Sequence, residues 1–274
     1  MFYVMIGIFD SGVGGLSVAK EIMKELPEYD LIYFGDTARA PYGNKSTDAI
    51  IKYALEDADF LIKRGAKIIV IACNTASALA YDVLRKSYPD LPIFEVITPA
   101  VEEALSATKK GRIGVIGTRA TVQSGIYEKK LKETPTNLPL NKGEAGRGLF
   151  VESRACPLFV PLIEENWLAK PEMKTIARKY LAHFKDCNID TLILGCTHYP
   201  LIKDIIQERV GRRVWLIDSA SAVAGQVKDF LEKNPEFAES LTKTGKSEFY
   251  VSDLTEQCQG IANKWIGKQL KNIL

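Results

Sequence analysis

No stretch of this chain approaches the roughly 20 consecutive apolar residues needed to span a bilayer, so a helical membrane protein is not expected. Charge of one sign is not in surplus either. Lys plus Arg number 36 against 34 Asp plus Glu, a formal net charge of +2. That balance gives no electrostatic footprint for nucleic acid or for an anionic membrane surface. Low-complexity tracts are absent, and 46% hydrophobic residues supply enough apolar surface to offset the entropy of ordering, which excludes a disordered chain. The five cysteines (Cys73, Cys156, Cys187, Cys196 and Cys258) are odd in number and widely scattered, and no C-x₂-C pair occurs. A disulfide framework fits poorly; reduced thiols in a cytoplasmic protein fit better. The opening MFYVMIGIFDSG has no basic region ahead of its apolar run, and the run stops at Asp10. It reads as a buried strand rather than a signal peptide.

What is present is alternation. Short apolar, β-branched runs at Val4–Phe9, Asp30–Phe34, Lys67–Ala72, Ile93–Ile97, Arg112–Ile116, Thr191–Leu194, Arg213–Ile217 and Glu248–Val251 read as strands. Several are apolar without alternation, as expected of parallel strands covered on both faces. Helical patterns lie between them, at Thr47–Lys63 and Thr175–Phe184, with a last one at Glu256–Leu270 that places Ile261, Trp265 and Ile266 on one side. The class is α/β with mostly parallel sheet. The segment Thr134–Gly148, with its prolines, asparagines and glycines, reads as an irregular connection. An internal echo is visible: KIIVIACNTAS around Cys73 resembles TLILGCTHYP around Cys196, and IGIFDSG echoes IGVIGT. Two similar α/β halves explain both echoes; coincidence among strand-to-helix junctions is the alternative.

In open α/β sheets ligands bind beyond the carboxyl ends of the strands, near helix N-termini. The residues there carry the chemistry. Asp10-Ser11-Gly12-Val13-Gly14-Gly15 follows the first strand, but the dinucleotide fingerprint G-x-G-x-x-G fails at Ser17, and no P-loop pattern occurs. Gly14 and Gly15 are expected to serve a tight turn with positive φ. Asp10 and Ser11 either cap the helix or hold a substrate ammonium. The loop Asp36–Gly43 reads as a surface connection, or as one whose Tyr42 closes over a small ligand while Tyr42 and Gly43 offer backbone donors. Cys73 and Cys196 sit at strand ends beside hydroxyl or amide residues, where a helix N-terminus favours a thiolate. A matched pair of such cysteines suggests two groups addressing one substrate from opposite sides. His198 follows Cys196 by two residues and can partner it. Zinc held by Cys187, Cys196, His183 and His198 is disfavoured by the missing tight pairs, so no metal is expected. His183, Cys156, Cys187 and Cys258 read as structural, and Glu164 and Glu165 by themselves as solvated helix-face carboxylates.

Taken together and in order, IGIFDSGVGGLSV (Ile6–Val18), GDTARAPYG (Gly35–Gly43), ACNTAS (Ala72–Ser77), RIGVIGTRATVQSGIY (Arg112–Tyr127), ACPLFVPLIEE (Ala155–Glu165), LGCTHYPL (Leu194–Leu201), IDSA (Ile217–Ala220) and the ending Phe249–Gly267 cover nearly the whole chain. In these motifs the chain resembles the cofactor-independent aspartate/glutamate racemase family, and within it the glutamate racemases. The resemblance implies two Rossmann-like or flavodoxin-like domains facing across a cleft, residues 1–98 with 210–274 and residues 99–209. It implies Cys73 and Cys196 as the acid/base thiols, assisted by Asp10 and His198, with Asp36 and Glu164 (or Glu165) as further carboxylates. Asp10, Ser11, Tyr42, Gly43, Asn74, Thr75, Thr118, Thr121, Thr197 and His198 would bind the amino acid. It also implies glutamate as the small-molecule substrate, no cofactor, D-glutamate supply for peptidoglycan synthesis in the cytoplasm, and a homodimer.

The chemistry fits independently. Inverting an amino acid requires removing the α-proton from one face and delivering another to the opposite face, and two bases of one type suit mirror-image reactant and product. Thiols have pKa values near the operating pH. Pyridoxal phosphate would call for a Schiff-base lysine and a phosphate cradle, and neither stands among the rim residues. Donors at Asn74, Thr75, Thr197 and His198 are expected to carry the developing charge instead. An aspartate racemase, a hydrolase with a single nucleophilic cysteine and a nucleotide-binding module are the alternatives; the last is weakened by the absent third glycine.

Overall fold

The computed structural model describes residues 4–135 and 149–273. Most of the irregular connection expected at Thr134–Gly148 lies outside the described residues. The chain runs β1 (Met5–Asp10), α1 (Leu16–Glu25), β2 (Leu31–Gly35), α2 (Thr47–Lys63), β3 (Ala66–Ile71), α3 (Asn74–Ser87) and β4 (Ile93–Glu95). There follow α4 (Ile97–Ala107), β5 (Arg112–Gly117), α5 (Arg119–Gln123), α6 (Ile126–Glu133), β6 (Phe150–Ala155), α7 (Phe159–Glu164), α8 (Pro171–Asp186), β7 (Thr191–Gly195), α9 (Lys203–Val210) and β8 (Trp215–Asp218). The chain ends with α10 (Ser219–Lys233), α11 (Pro235–Ser240), β9 (Ser247–Val251), α12 (Glu256–Ile266) and β10 (Lys271–Asn272). None of the described helices is long and apolar enough to cross a membrane.

These elements divide into two compact units, Met1–Val96 with Ala220–Leu274 and Ile97–Ser219. The first is built on a sheet of strand order β10-β9-β2-β1-β3-β4, the second on β6-β5-β7-β8. Every described strand pairing is parallel. Strands β2-β1-β3-β4 and β6-β5-β7-β8 therefore repeat one order, and the two sequence echoes fall on equivalent strands, β1 with β5 and β3 with β7. In each sheet the order reverses beside the first of these, between β1 and β3 and between β5 and β7, which is the switch point where such folds open a binding crevice.

Apolar runs became strands because both faces are covered: β1 and β2 are buried along their whole length, and β3 everywhere but Lys67. Helix α2 starts at the Ser46 cap, whose Oγ accepts from the Ala49 N–H, and it lays Ile50, Ala54, Ala58 and Leu61 onto the sheet. Helix α12 stops four residues short of the expected Leu270, because Gly267 takes a left-handed conformation (φ 62°) at its C-terminus. On its inner side Ala262 is buried, while Ile261, Trp265 and Ile266 are only half-buried.

Two expectations shift. Residues 210–219 were assigned to the first domain, but Trp215 of β8 pairs with Thr191 of β7, so the stretch completes the second sheet. The strand expected to run on to Ile97 ends at Glu95, and α4, which opens the second unit, begins at Ile97. Strand β6 was not expected at all. Its sequence FVESRA is half-buried throughout and, among the described residues, sits at the sheet edge paired only with β5, so it lacks the apolar signal of a central strand.

Candidate active site

In the first unit Asp10 ends β1 and Cys73 follows β3, and the backbone ties these ends together: the Ala72 N–H donates to the Phe9 carbonyl at 2.9 Å. Asp10 is fully buried, and its Oδ2 accepts from the N–H groups of Gly12 (3.1 Å) and Gly15 (3.0 Å). The turn therefore wraps the carboxylate. The glycines are needed for a different reason from the one expected. None of Gly12, Gly14 and Gly15 has a positive φ; a Cβ on Gly15 would instead lie 2.4 Å from the Asp10 Cβ. Close approach of backbone to side chain excludes anything larger.

Cys73, 5% exposed, is the cap of α3. Its Sγ accepts from the Ala76 N–H at 3.5 Å, and the thiol reaches the Ser11 Oγ at 3.5 Å. The sulfur thus rests on a helix N-terminus, where backbone N–H groups favour negative charge. Asn74 and Thr75 open the helix and are buried beside it. Tyr33 is buried under the same turn and donates to the Gly12 carbonyl at 2.5 Å; burial, then the nearby Asp10 and Cys73, push its phenol upward, so it stays protonated.

The loop after β2 contradicts one reading. Tyr42 does not close over a ligand. Its ring belongs to the hydrophobic core and is completely buried. Its hydroxyl lies 2.5 Å from Asp36 Oδ2 and 2.8 Å from Asp57 Oδ2. Asp36 is itself buried, and it accepts further hydrogen bonds from Arg39 Nε (2.6 Å) and Ser252 Oγ (2.9 Å). Arg39 also reaches Asp57 (3.1 Å) and Glu56. This network fastens the Asp36–Asn44 loop to α2 and to the end of β9. Sequence reading missed Arg39, Asp57 and Ser252. Asp57 did leave a signal: it is a carboxylate in the buried stripe of α2, where an apolar residue belongs.

In the second unit Cys196 directly follows β7 and is 5% exposed. Next to it in the sheet, Gly195 pairs with Gly117 of β5, so Thr118 comes to the equivalent rim. Thr118 caps α5, its Oγ1 accepting from the Thr121 N–H at 3.3 Å and lying 2.9 Å from the Thr121 Oγ1. After Cys196 the chain forms one 3₁₀ turn, Tyr199–Ile202, before α9, so the expected helix opens later than at Cys73. Thr197 and His198 are buried there.

The His198 ring connects two groups. Its Nδ1 lies 3.8 Å from the Cys196 Sγ and its Nε2 3.0 Å from the Glu164 Oε1. Glu164, the last residue of α7, is thus the carboxylate at this site, while Glu165 caps the helix end. Burial alone would lower the imidazole pKa, but Cys196 and Glu164 outweigh it and raise it to about 10. A protonated His198 places a positive charge beside the Cys196 sulfur. Cys156 lies under this loop, accepts from the Tyr199 hydroxyl through its carbonyl (3.1 Å), and has its thiol pushed upward by burial, so it is inert. His183 and Cys187 do not join Cys196 and His198; they meet Glu152 instead.

A family description, Asp/Glu/Hydantoin racemase, matches residues 15–227. The glutamate racemase of Geobacter metallireducens is 43% identical over 98% of this chain and 94% of its own length. Among solved structures, a glutamate racemase isoform from Bacillus anthracis superposes with a TM-score of 0.88 at 34% identity, covering 100% of this chain and 98% of that one. The glutamate racemase of Francisella tularensis, determined in complex with D-glutamate, gives 0.86 at 36% identity with the same coverage.

Proposed function

Because this chain belongs to the Asp/Glu/Hydantoin racemase family, we propose that it interconverts L- and D-glutamate, with Cys73 and Cys196 as its two acid/base groups. The observation that carries the reading is the repeat itself: in each of two like-ordered parallel sheets a buried cysteine stands within two residues of the end of the third strand, beside the switch point. A one-thiol enzyme needs one such junction; a two-base inversion needs both.

In each turnover one sulfur, as thiolate, takes the α-proton. The other, as thiol, delivers its proton to the opposite face of the α-carbon. The enzyme ends with thiolate and thiol exchanged, ready for the reverse enantiomer. The charge that develops on the substrate calls for donors fixed in advance, and the N–H groups opening α3 and the turn after Cys196 suit that task. His198, held by Glu164, offsets negative charge on Cys196. Asp10, with Ser11, is assigned to the substrate ammonium and to Cys73. Thr75, Asn74, Thr118, Thr121 and Thr197, with the backbone of Tyr42 and Gly43, are assigned to the carboxylates. Asp36 acts as a positioning residue, since its oxygens are already engaged by Arg39, Tyr42 and Ser252.

The relatives named above act on glutamate, and their likeness over nearly the full chain supports that substrate over aspartate. The reading extends to a cytoplasmic homodimer that feeds D-glutamate to peptidoglycan synthesis. The test is incubation with L-glutamate in deuterium oxide without added cofactor, following optical rotation and α-deuterium together, with L-aspartate in parallel. Rotation lost as deuterium enters glutamate alone is the expected result. Cys73→Ser and Cys196→Ser should each abolish racemisation, and near-normal turnover by either variant would overturn the two-thiol mechanism. Activity on aspartate alone would move the substrate assignment.

A further inference from the structure

Among the described residues, one group of three side chains has its metal-capable donor atoms within 4.8 Å of one another: Glu152, His183 and Cys187. All three belong to the second unit, and none touches Cys196 or His198 in the contacts described above. Glu152 lies on the edge strand β6. His183 is in the last turn of α8, and Cys187 is the residue that ends that helix. The spacing of four residues puts imidazole and thiol on the same helix face, turned toward the strand.

The His183 Nε2 faces both of the other donor atoms. His183 Nε2 lies 2.9 Å from Glu152 Oε1 and 3.4 Å from Cys187 Sγ. One ring nitrogen offers a single N–H or a single lone pair, in one direction. It cannot serve a carboxylate and a thiol well at once. A cation can, because it attracts all three donors to a common point. Tetrahedral zinc with bonds of about 2.0–2.3 Å sets its nitrogen, oxygen and sulfur ligands roughly 3.3–3.6 Å apart; the nitrogen–sulfur separation of 3.4 Å already matches, and the nitrogen–oxygen pair at 2.9 Å need open only slightly to admit the ion.

We propose that Glu152, His183 and Cys187 form a binding site for a divalent, borderline-soft transition-metal cation, zinc in the first instance, that staples the edge strand β6 to the end of α8. The donor set of one imidazole, one thiolate and one carboxylate is a zinc set, whereas magnesium or calcium would call for oxygen alone. Binding exchanges the Cys187 thiol proton for the metal, so one proton is released per ion at this residue. Two anionic ligands face the ion. The Arg112 guanidinium donates to the Cys187 carbonyl (Nε at 2.8 Å), which leaves the site with a net negative charge. The His183 and Glu152 side chains are 42% and 33% exposed, so water has access to the fourth position. Such a staple acts on an edge strand whose residues are all only half-buried, and it makes the stability of this unit respond to metal concentration.

The experiment is a cobalt(II) titration of the full-length reduced chain, read by the thiolate-to-cobalt charge-transfer band, with zinc affinity taken from chelator competition. To remove the catalytic thiols as ligands, the titration is repeated in a Cys73→Ser, Cys196→Ser background. The expected result is one ion per chain, a band that survives in that background, and loss of the band in Cys187→Ser. Where Cys187→Ser fails to fold, His183→Gln and Glu152→Gln carry the test; each should weaken zinc by at least the ~10–100-fold that even outer partners of a metal contribute. Zinc should also raise the melting temperature of the parent and not of His183→Gln. Absence of stoichiometric binding, a band lost with Cys73 and Cys196, or an affinity unmoved by His183→Gln would each overturn the proposal. None of these readouts depends on racemase activity.

Discussion

The Tyr42 hydroxyl sits 2.8 Å from the Asp57 Oδ2, with both side chains fully buried. The same oxygen is 2.5 Å from Asp36 Oδ2. One phenol carries one proton and cannot donate to both carboxylates. The shorter contact takes the tyrosine proton to Asp36; the longer one to Asp57, which Arg39 also reaches, is made when Asp57 carries a proton. Burial first, and then the Asp36 charge, raise the Asp57 pKa well above 3.8, against the opposing pull of Tyr42 and Arg39. Asp57 therefore keeps its proton to higher pH than an exposed carboxyl does, in the otherwise apolar buried stripe of α2.

Asp57→Asn should keep the shape and a donor, and change stability little near pH 4. A carboxyl whose folded pKa is raised binds more protons folded than unfolded, so its contribution falls as pH rises from its unfolded value through its folded one. The variant should thus gain on the parent as pH climbs above 3.8. Tyr42→Phe should cost about 1–3 kcal/mol, since it leaves two buried carboxyls short of a partner. Urea titrations at several pH values check both; an Asp57→Asn difference that stays flat with pH would remove the proton from Asp57.

His198 should remain an imidazolium well past the ordinary range. Its folded pKa is raised from 6.5 to about 10 by Cys196 and Glu164. The stability this contributes is full below 6.5 and is lost as pH rises through about 10. Nitrogen-15 NMR of histidine-labelled protein should show both ring nitrogens protonated at about pH 8, where a free imidazole is neutral. The margin of the parent over His198→Gln should shrink on the alkaline side. A His198 titrating near 6.5 would break the coupling to Cys196.

Glu164→Gln tests whether that coupling matters to turnover. It keeps the 3.0 Å contact to His198 in shape and removes the charge. Proton-transfer partners contribute about 10²–10⁴-fold to rate, and a group one step removed should contribute less, roughly tenfold to a hundredfold in kcat. Because L- and D-glutamate are equal in energy, kcat/KM must fall equally in the two directions. Any difference between Cys196, whose sulfur lies 3.8 Å from His198 Nδ1, and Cys73 can appear only in kcat and KM taken separately. Progress curves from each enantiomer measure it, and equal kcat changes in both directions would argue against a role specific to Cys196.

Much of this arrangement was legible in the residues. Uninterrupted apolar runs marked the buried strands, and the repeated strand-Cys-polar junction marked the two switch points, because covalent sequence and sheet register coincide there. Asp57 apart, what lay hidden had no local signal. Strand β6 is polar and half-buried because it is an edge, and its pairing with β5 crosses a long stretch of sequence. Ser252 reaches Asp36 from 216 residues away. The Asp36–Gly43 loop reads as a surface connection because a Pro-Tyr-Gly segment is usually exposed, whereas the buried acids Asp36 and Asp57 hold the Tyr42 hydroxyl inward. The end of the second unit was misplaced because β8 gives no sequence clue to which sheet it joins.

The glycine turn after β1 separates two physical accounts that the sequence alone could not. If conformation were the constraint, alanine at any of its glycines would strain the backbone; here φ is negative, and space decides. A Cβ at Gly15 would come within 2.4 Å of Asp10 Cβ and 3.1 Å of Ala72 Cβ, and all of these are close to backbone that cannot swing away. At Gly12 the nearest atom is Ala40 Cβ at 3.7 Å, an ordinary contact. Gly15→Ala should therefore cost about 1–3 kcal/mol of overpacking and displace Asp10, lowering kcat/KM as well as the melting temperature. Gly12→Ala should stay within about 1 kcal/mol of the parent, since Gly12 adopts no positive φ. Thermal melts and steady-state kinetics on the pair decide it: equal losses at both positions would return the constraint to backbone conformation, and no loss at Gly15 would mean the turn can shift away from the carboxylate it wraps.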